Sequence, residues 1–188
     1  MISLTYRDLT ELSPEMGEQV RLWRNTPEVR SSMVRQHSIS PEEHAQWLEF
    51  LRRHPHRQRV RVAFVDHDPF GVVTLKDLDL TAGVSDWGMY IGDPRFRGRG
   101  LGNALLFEIL RWAFDESGLF RLFTSVLAVN PQALVMYLRA GFELEGCWRR
   151  HVPLEGGERG DLLWMAMLRP RWEERRKTLE EALLAGVR

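Results

Sequence analysis

One stretch near the middle of the chain, residues 95–102, most constrains how this chain can fold. It carries glycine at every second position from residue 98. The alternating, aromatic-rich segment 86–91 before it predicts a strand, and the apolar spacing of residues 103–117 predicts a helix. Such glycines let consecutive N–H groups turn toward one point, and the helix start adds unpaired N–H groups and a positive dipole end. The stretch therefore predicts a phosphate or pyrophosphate site with Arg97 and Arg99 at its rim.

Two well-known phosphate-binding loops do not match this stretch. A P-loop needs Gly-Lys followed by Ser or Thr, which is absent here. A dinucleotide-binding fingerprint needs a further glycine where Asn103 stands, and it lies early in its domain rather than in the middle. The loop therefore belongs to a different class of anion site.

Composition excludes several classes of partner. The 188 residues carry 26 basic and 26 acidic side chains, so no bulk charge attracts nucleic acid or an anionic membrane. The single cysteine, Cys147, excludes an internal disulfide and suits a reducing cytoplasm, where we expect the protein to reside. We expect Cys147 to be a small packed hydrophobic residue on the sixth strand. The sequence shows neither an apolar signal core nor a run long enough to span a membrane.

Hydrophobic periodicity and helix-start signals predict a mixed α/β (α+β) fold. The sheet is expected to have six to seven mostly antiparallel strands, with helices layered on both faces. We expect residues 1–170 to form one domain and residues 171–188 a helical extension packed on that domain or on a partner subunit. The predicted strands are 2–9, 59–65, 70–78, 84–92, 121–129, 142–154 and 161–168, and the predicted helices are 14–25, 27–33, 41–53, 103–117, 131–141 and 172–184.

Two motifs on these elements resemble the GNAT N-acetyltransferase superfamily. They are Arg95-x-x-Gly98-x-Gly100 after the fourth strand and Asn130-x-x-Ala133-x-x-x-Tyr137-x-x-x-Gly141-Phe142 after the fifth. The order of elements resembles that family from end to end. The resemblance implies acetyl-CoA as cofactor and acetyl transfer to a primary amine by direct attack in a ternary complex. The cofactor-binding residues that it implies are Met89, Tyr90, Ile91, Arg97, Gly98, Arg99, Gly100, Leu101, Gly102, Asn103 and Asn130.

A narrower resemblance lies in residues 22–30, 39–47 and 86–91. These segments resemble the amino-sugar-nucleotide acetyltransferases of the pseudaminic acid pathway, which acetylate the 4-amino group of a UDP-linked dideoxy sugar. The ribosomal-protein N-terminal and polyamine acetyltransferases share much of the layout and remain the alternative. The segment 169–188 is not part of the pattern. The substrate contacts that the resemblance implies are Arg24, Asn25, Met33, His44, Thr74, Lys76 and Tyr90.

Acetyl transfer from a thioester to an amine requires a base, an oxyanion donor and an acid. The resemblance implies that the phenol of Tyr137 faces the thioester sulfur and acts as the acid, and a phenol is protonated at neutral pH. A backbone N–H of the fourth strand is the expected oxyanion donor. Three candidates for the base remain open: Asp86, His44, with a suitable ordinary pKa, and a chain of water molecules. Asn130 is expected to cap the helix that carries Tyr137.

Two other classes of protein share parts of this sequence pattern. Arginine alternating with glycine is also typical of nucleic-acid binders, but the neutral charge balance disfavours them. A GNAT fold can also serve as a structural module that binds acyl-CoA, with its last helix as the contact of a homodimer. His54, His56, His67 and Asp68 match no standard metal spacing, so we expect no metal.

Overall fold

Seven strands form one mixed sheet in the computed structural model, which describes residues 3–154 and 156–186. The spatial order is β1-β2-β3-β4-β5-β7-β6, and every neighbouring pair is antiparallel except β4 and β5. This architecture confirms the predicted mixed, mostly antiparallel sheet. The strands are β1 Leu4–Asp8, β2 Arg59–Val65, β3 Asp68–Asp79, β4 Val84–Ile91, β5 Arg121–Leu127, β6 Glu143–Pro153 and β7 Arg159–Leu168.

Helix starts follow the signals in the sequence. Ser40 and Glu43 form a reciprocal capping box, and proline occupies the first turn after three other caps. The last helix begins at Arg169, three residues before the predicted start, because the fixed φ of Pro170 suits a first turn. The helices are α1 Pro14–Asn25, α2 Pro27–Ser31, α3 Pro41–Arg53, α4 Leu101–Arg111, α5 Pro131–Ala140 and α6 Arg169–Gly186.

The helices bury the two faces of the sheet in separate clusters. On one face, Val20 and Trp23 of α1 and Leu51 of α3 pack with apolar side chains of β2 and β3. On the other face, α4, α5 and α6 pack in one larger cluster with side chains of β3, β4, β5 and β7. A third, small cluster on the α1 face consists of strand and loop residues: Leu127, Val152, Leu162, Leu154 and Trp164. The β5–β7–β6 part of the α1 face is therefore the less covered half of the sheet.

The C-terminal helix α6 packs on its own chain. Trp172 is fully buried, with ring centroids 5.6 Å from Phe107 and 6.1 Å from Phe114, and its Nε1 donates to Asp115 at 2.8 Å. Arg169 donates from Nη2 to two backbone carbonyls that follow α4, each at 2.6 Å. The start of α6 is therefore continuous with the core around α4.

The prediction for Cys147 was wrong. Its side chain is exposed, because β6 is the edge strand of the sheet and most of its residues face solvent. The described residues hold no group of three or more His, Cys, Asp or Glu side chains that could bind a metal ion. Within residues 3–154 and 156–186, no helix combines the length and apolar character needed to cross a membrane.

Candidate active site

A split between β4 and β5 forms the centre of the candidate site. The two parallel strands pair only over Val84–Asp86 and Arg121–Phe123, although both continue further. Beyond the last paired residues, the hydroxyl of Thr124 donates to the carbonyl of Trp87 at 3.1 Å, so a side-chain hydrogen bond takes the place of the backbone pairing between the strands. The sheet therefore opens as a V whose root lies at Asp86 and Phe123.

The edge of β4 that faces this split carries free backbone groups. The carbonyl of Trp87 points toward β5, and on the opposite edge the N–H of Gly92 donates to Phe70 at 2.8 Å. Because backbone groups alternate along a strand, the N–H and C=O of Met89 and Ile91 also face the split. An extended ligand with amide groups could pair there as an additional strand would. The backbone of Tyr90 faces β3 instead.

The glycine loop, residues 97–102, presents a row of N–H groups. Gly98 and Gly100 have φ of +74° and +75°, a left-handed conformation that favours glycine, and Gly100 directly precedes α4. In the described part of the chain, the N–H groups of Gly98 through Gly102 have no hydrogen-bond acceptor. A Cβ at Gly98 would have no atom within 4 Å, so the space beside this residue is open. Gly102 is the second residue of α4. The loop and helix start together form an open nest for an anion.

Aromatic and ionic contacts hold the glycine loop in place. Phe96 is buried, and its ring lies 5.7 Å from Phe70. Asp93 accepts from the backbone N–H of Arg95 at 2.9 Å and pairs with its guanidinium at 2.7 Å, so these hydrogen bonds lower the pKa of Asp93. Arg99 lies over the Phe96 ring at 5.7 Å. This anchoring fixes the backbone before it enters the nest.

Tyr137 lies on the α4 side of the split. Its side chain is buried, with the ring 4.9 Å from Trp87 and 5.8 Å from Phe142. Burial raises the pKa of the phenol above its ordinary value, so the group stays protonated near neutral pH. The predicted cap is confirmed, because the Asn130 side chain accepts from the N–H of Ala133 at 3.2 Å. A contact between Asn130 and the cofactor stays a prediction.

Asp86 lies at the root of the split on the opposite face. Its carboxylate pairs with Lys76 at 2.8 Å and accepts from the N–H of Trp87 at 2.6 Å. Burial raises the pKa of Asp86, while the Lys76 ammonium opposes the increase. Thr74 lies two residues from Lys76 on the same strand and is the register partner of Gly88. The structure thus brings Asp86, Lys76 and Thr74 together.

His44 lies elsewhere, between α1 and α3. Its Nε2 is 2.8 Å from the carbonyl of Gly17, and its ring packs 5.2 Å from Trp47. Burial lowers the pKa of His44 below the ordinary 6.5. Gly17 lies about one turn before Val20, whose carbonyl accepts from the Tyr90 hydroxyl of β4 at 3.4 Å. These contacts do not include Asp86, and the roles of His44 as base and as substrate contact stay predictions.

The turn after α1 places two of the predicted substrate contacts. Both ends of the Asn25 amide bond to the backbone of Ile39 at 2.8 Å, which gives Asn25 a structural task. Arg24 donates from Nη2 to the carbonyl of Arg35 at 2.6 Å. Its Nη1 is buried without a partner among the described residues, and burial lowers the pKa of the guanidinium. Met33, just after α2, is partly exposed.

Sequence reasoning missed three aromatic residues beside the root of the split. Phe123, Trp164 and Trp148, here called the aromatic row, have consecutive ring centroids 6.3 Å and 4.8 Å apart. Strand register places all three on the face of Asp86. The alternation of side chains along β7 was the one signal in the sequence that pointed to these aromatic residues. It does not show which strands lie beside β7 in the sheet.

Comparisons with known proteins agree with this geometry. The model of the acetyltransferase (GNAT) family matches residues 20–142. The L-amino acid N-acetyltransferase AaaT of Escherichia coli is 29% identical over 131 residues, which are 69% of this chain and 78% of that protein. The acetyltransferase PseH of Campylobacter jejuni is 28% identical over 138 residues, covering 73% and 83%. A crystal structure of spermidine N-acetyltransferase from Vibrio cholerae with CoA and spermine superposes with a TM-score of 0.78 at 21% identity, covering 90% and 98%.

Because the family match covers well over half of the chain, this protein belongs to the acetyltransferase (GNAT) family. It is an N-acetyltransferase, and its cofactor is acetyl-CoA. The unpaired N–H groups of the nest suit the pyrophosphate of this cofactor, and the free edge of β4 suits its amides. The spermidine acetyltransferase structure, below 25% identity, bears on the fold alone.

Proposed function

We propose that this protein acetylates the primary amine of a nucleotide-linked amino sugar, most specifically its 4-amino group. The proposal has two parts: the negatively charged linkage of the acceptor binds at Arg24, and the amine lies beside Asp86. The similarity to the acetyltransferase PseH is consistent with this acceptor class. A contact described above supports each part.

The unpartnered guanidinium nitrogen of Arg24 carries the proposal. Arginine keeps its charge in proteins, and a buried N–H without an acceptor costs roughly 1–3 kcal/mol. Arg24 lies near Tyr90, whose hydroxyl donates to the carbonyl of Val20 at 3.4 Å. A phosphate oxygen would supply the acceptor that Nη1 lacks. A polyamine would instead bring further positive charge to this position, so the arginine favours an anionic acceptor.

The residues at the split then divide the chemistry. Acetyl-CoA supplies the acetyl group as a thioester when it is bound. Asp86 accepts a proton from the acceptor ammonium, which leaves the neutral amine that attacks the thioester carbonyl, and burial raises the pKa of Asp86 toward that task. The N–H of Met89 or Ile91 donates to the developing oxyanion. Tyr137 donates its phenolic proton to the departing thiolate from the opposite face of the sheet.

The test measures free-thiol release from acetyl-CoA with separate amines, each with wild type and Arg24→Gln. The amines are a UDP-4-amino-dideoxy sugar, a ribosomal N-terminal peptide, spermidine and an L-amino acid. We expect release with the sugar nucleotide, and a KM for it about tenfold or more higher in the variant, because a hydrogen bond to a charged group is lost. The KM for acetyl-CoA should stay unchanged.

A matched control is Arg53→Gln, which removes an exposed arginine that pairs with Glu49 on the outside of α3. This variant should keep the wild-type KM for every amine. Release with spermidine or a peptide alone would contradict the sugar-nucleotide assignment. So would an unchanged KM in a folded Arg24→Gln variant.

A further inference from the structure

The aromatic row forms a continuous apolar strip across three strands. Trp164 on β7 lies between the other two rings, and Trp148 on β6 is 48% exposed. His151 packs edge-on against Trp148 at 4.6 Å and extends the strip toward the edge of the sheet. The planes of these rings are tilted by 38° and 59° against each other, and the half-exposed Trp148 offers a large ring face to a ligand.

The aromatic row begins beside Asp86, the proposed base. Phe123 is the register partner of Asp86, so their side chains leave the same face on adjacent strands. Trp164 pairs with Ser125, which is two residues further along β5. A group whose amine lies beside Asp86 therefore has Phe123 and Trp164 as its next neighbours.

The charged groups beside the Phe123 end of the row are already paired. Arg121 lies over the Phe123 ring at 5.8 Å and forms an ion pair with Glu145 at 2.6 Å. On the other side, Asp86 pairs with Lys76. A linear polycation would have to break these pairs to gain a carboxylate, whereas an apolar group meets the open ring faces directly.

The indole of Trp164 adds a polar requirement. Its Nε1 is buried and has no acceptor within the described segments of the chain. Buried indole N–H groups usually find an acceptor. A bound molecule that carries an oxygen next to its apolar face would satisfy it.

We propose that the aromatic row binds the apolar group that carries the acceptor amine. The C–H face of a deoxyamino sugar has this chemistry. This assignment rests on the proposed transfer to an amine beside Asp86, and it adds the group that sets acceptor specificity. The C–H groups pack on the ring faces, and an oxygen of the acceptor accepts from Trp164.

A second copy of the chain is a poorer occupant for the row. Three partly exposed rings offer at most a few hundred Å², against about 800 Å² per partner in a stable interface. The exposed Arg149 and Arg150 follow Trp148 directly along β6. Their charge disfavours a dry contact at that edge.

The test compares Trp148→Leu and Trp164→Leu with wild type, using the UDP-4-amino-dideoxy sugar, L-phenylalanine and spermidine as acceptors. We expect KM for the acceptor that is used to rise about three- to tenfold in each variant, because an aromatic contact is lost. The kcat and the Kd for CoA should change less than twofold. Phe120→Leu, which truncates a 53% exposed ring before β5, is the control and should match wild type.

Binding of each amine is also measured without catalysis, from the change in tryptophan fluorescence when the amine is added to the CoA-bound protein. Quenching in wild type that is lost in Trp148→Leu supports the row even if no amine is acetylated, in which case the proposed function alone fails. Unchanged KM and unchanged quenching in folded variants would overturn the inference. A wild-type dimer that Trp148→Leu converts to a monomer, with KM unaltered, would also overturn it and assign the row to self-association.

Discussion

The donor side and the acceptor side of this site are built in different ways. The glycine loop uses backbone N–H groups from consecutive residues, with Gly98 and Gly100 in a left-handed conformation. The acceptor side that we propose consists of side chains from α1, β3, β4, β5, β6 and β7, including Arg24, Lys76 and Trp148. A backbone nest recognises one group, phosphate, whatever side chains surround it. Side chains collected from distant strands can change one at a time, so the acceptor can vary while the cofactor stays the same.

The largest expected effect lies where the two sides meet. Tyr137→Phe removes the only group of that ring that can protonate the thiolate, and kcat should fall about 100-fold or more. Stopped-flow or steady-state thiol release measures it, with the thermal midpoint as a check on folding. Tyr6→Phe is the matched control, since it removes a phenol whose pKa is also raised by burial and whose hydroxyl donates to Ala104. Tyr6→Phe should keep the wild-type kcat, and equal activity of Tyr137→Phe would remove Tyr137 from the mechanism.

An intermediate effect should separate the donor side from the acceptor side. Gly98→Ala forces a Cβ into a left-handed conformation, which costs roughly 1–2 kcal/mol, and the loop should relax away from its nest geometry. We expect the Kd for CoA, measured by calorimetry, to rise about tenfold. Gly118→Ala imposes the same strain at φ +67° with open space around it, after α4. Gly118→Ala should lower stability as much as Gly98→Ala does and leave CoA binding unchanged. Weaker CoA binding in both variants would show that the loss of stability, and not the geometry of the nest, is the cause.

The smallest effect concerns the charge of the acceptor side. Lys76→Met removes the ammonium that opposes the raised pKa of Asp86, so this pKa should rise further. A base must be deprotonated, and a higher pKa leaves less carboxylate at a given pH. The acidic limb of the kcat/KM profile should therefore move to higher pH. Lys76→Arg keeps the charge and should restore the wild-type limb, whereas a limb that stays in place in Lys76→Met would exclude Asp86 as the titrating base.

Local signals in the sequence predicted most of the fold. Capping residues such as Ser40 and Asn130 and the left-handed glycines act within a few residues, so they can be recognised without knowing the tertiary structure. The start of α6 was placed three residues late, since Pro170 suits a first helical turn as well as a strand end. Cys147 was misplaced because its burial depends on which strand lies at the edge.

The site divides in the same way. The anion nest and the position of Tyr137 depend on contiguous motifs, and the sequence alone determined them as candidates. The split, the pairing of Asp86 with Lys76 and the aromatic row depend on strand order, which brings residues 76, 86, 123, 148 and 164 to one face. Only the tertiary structure determines these three features, and it also places the His44 side chain between α1 and α3. Neighbours within a motif are fixed by the chain itself, whereas neighbours across a sheet are fixed by packing that no single segment encodes.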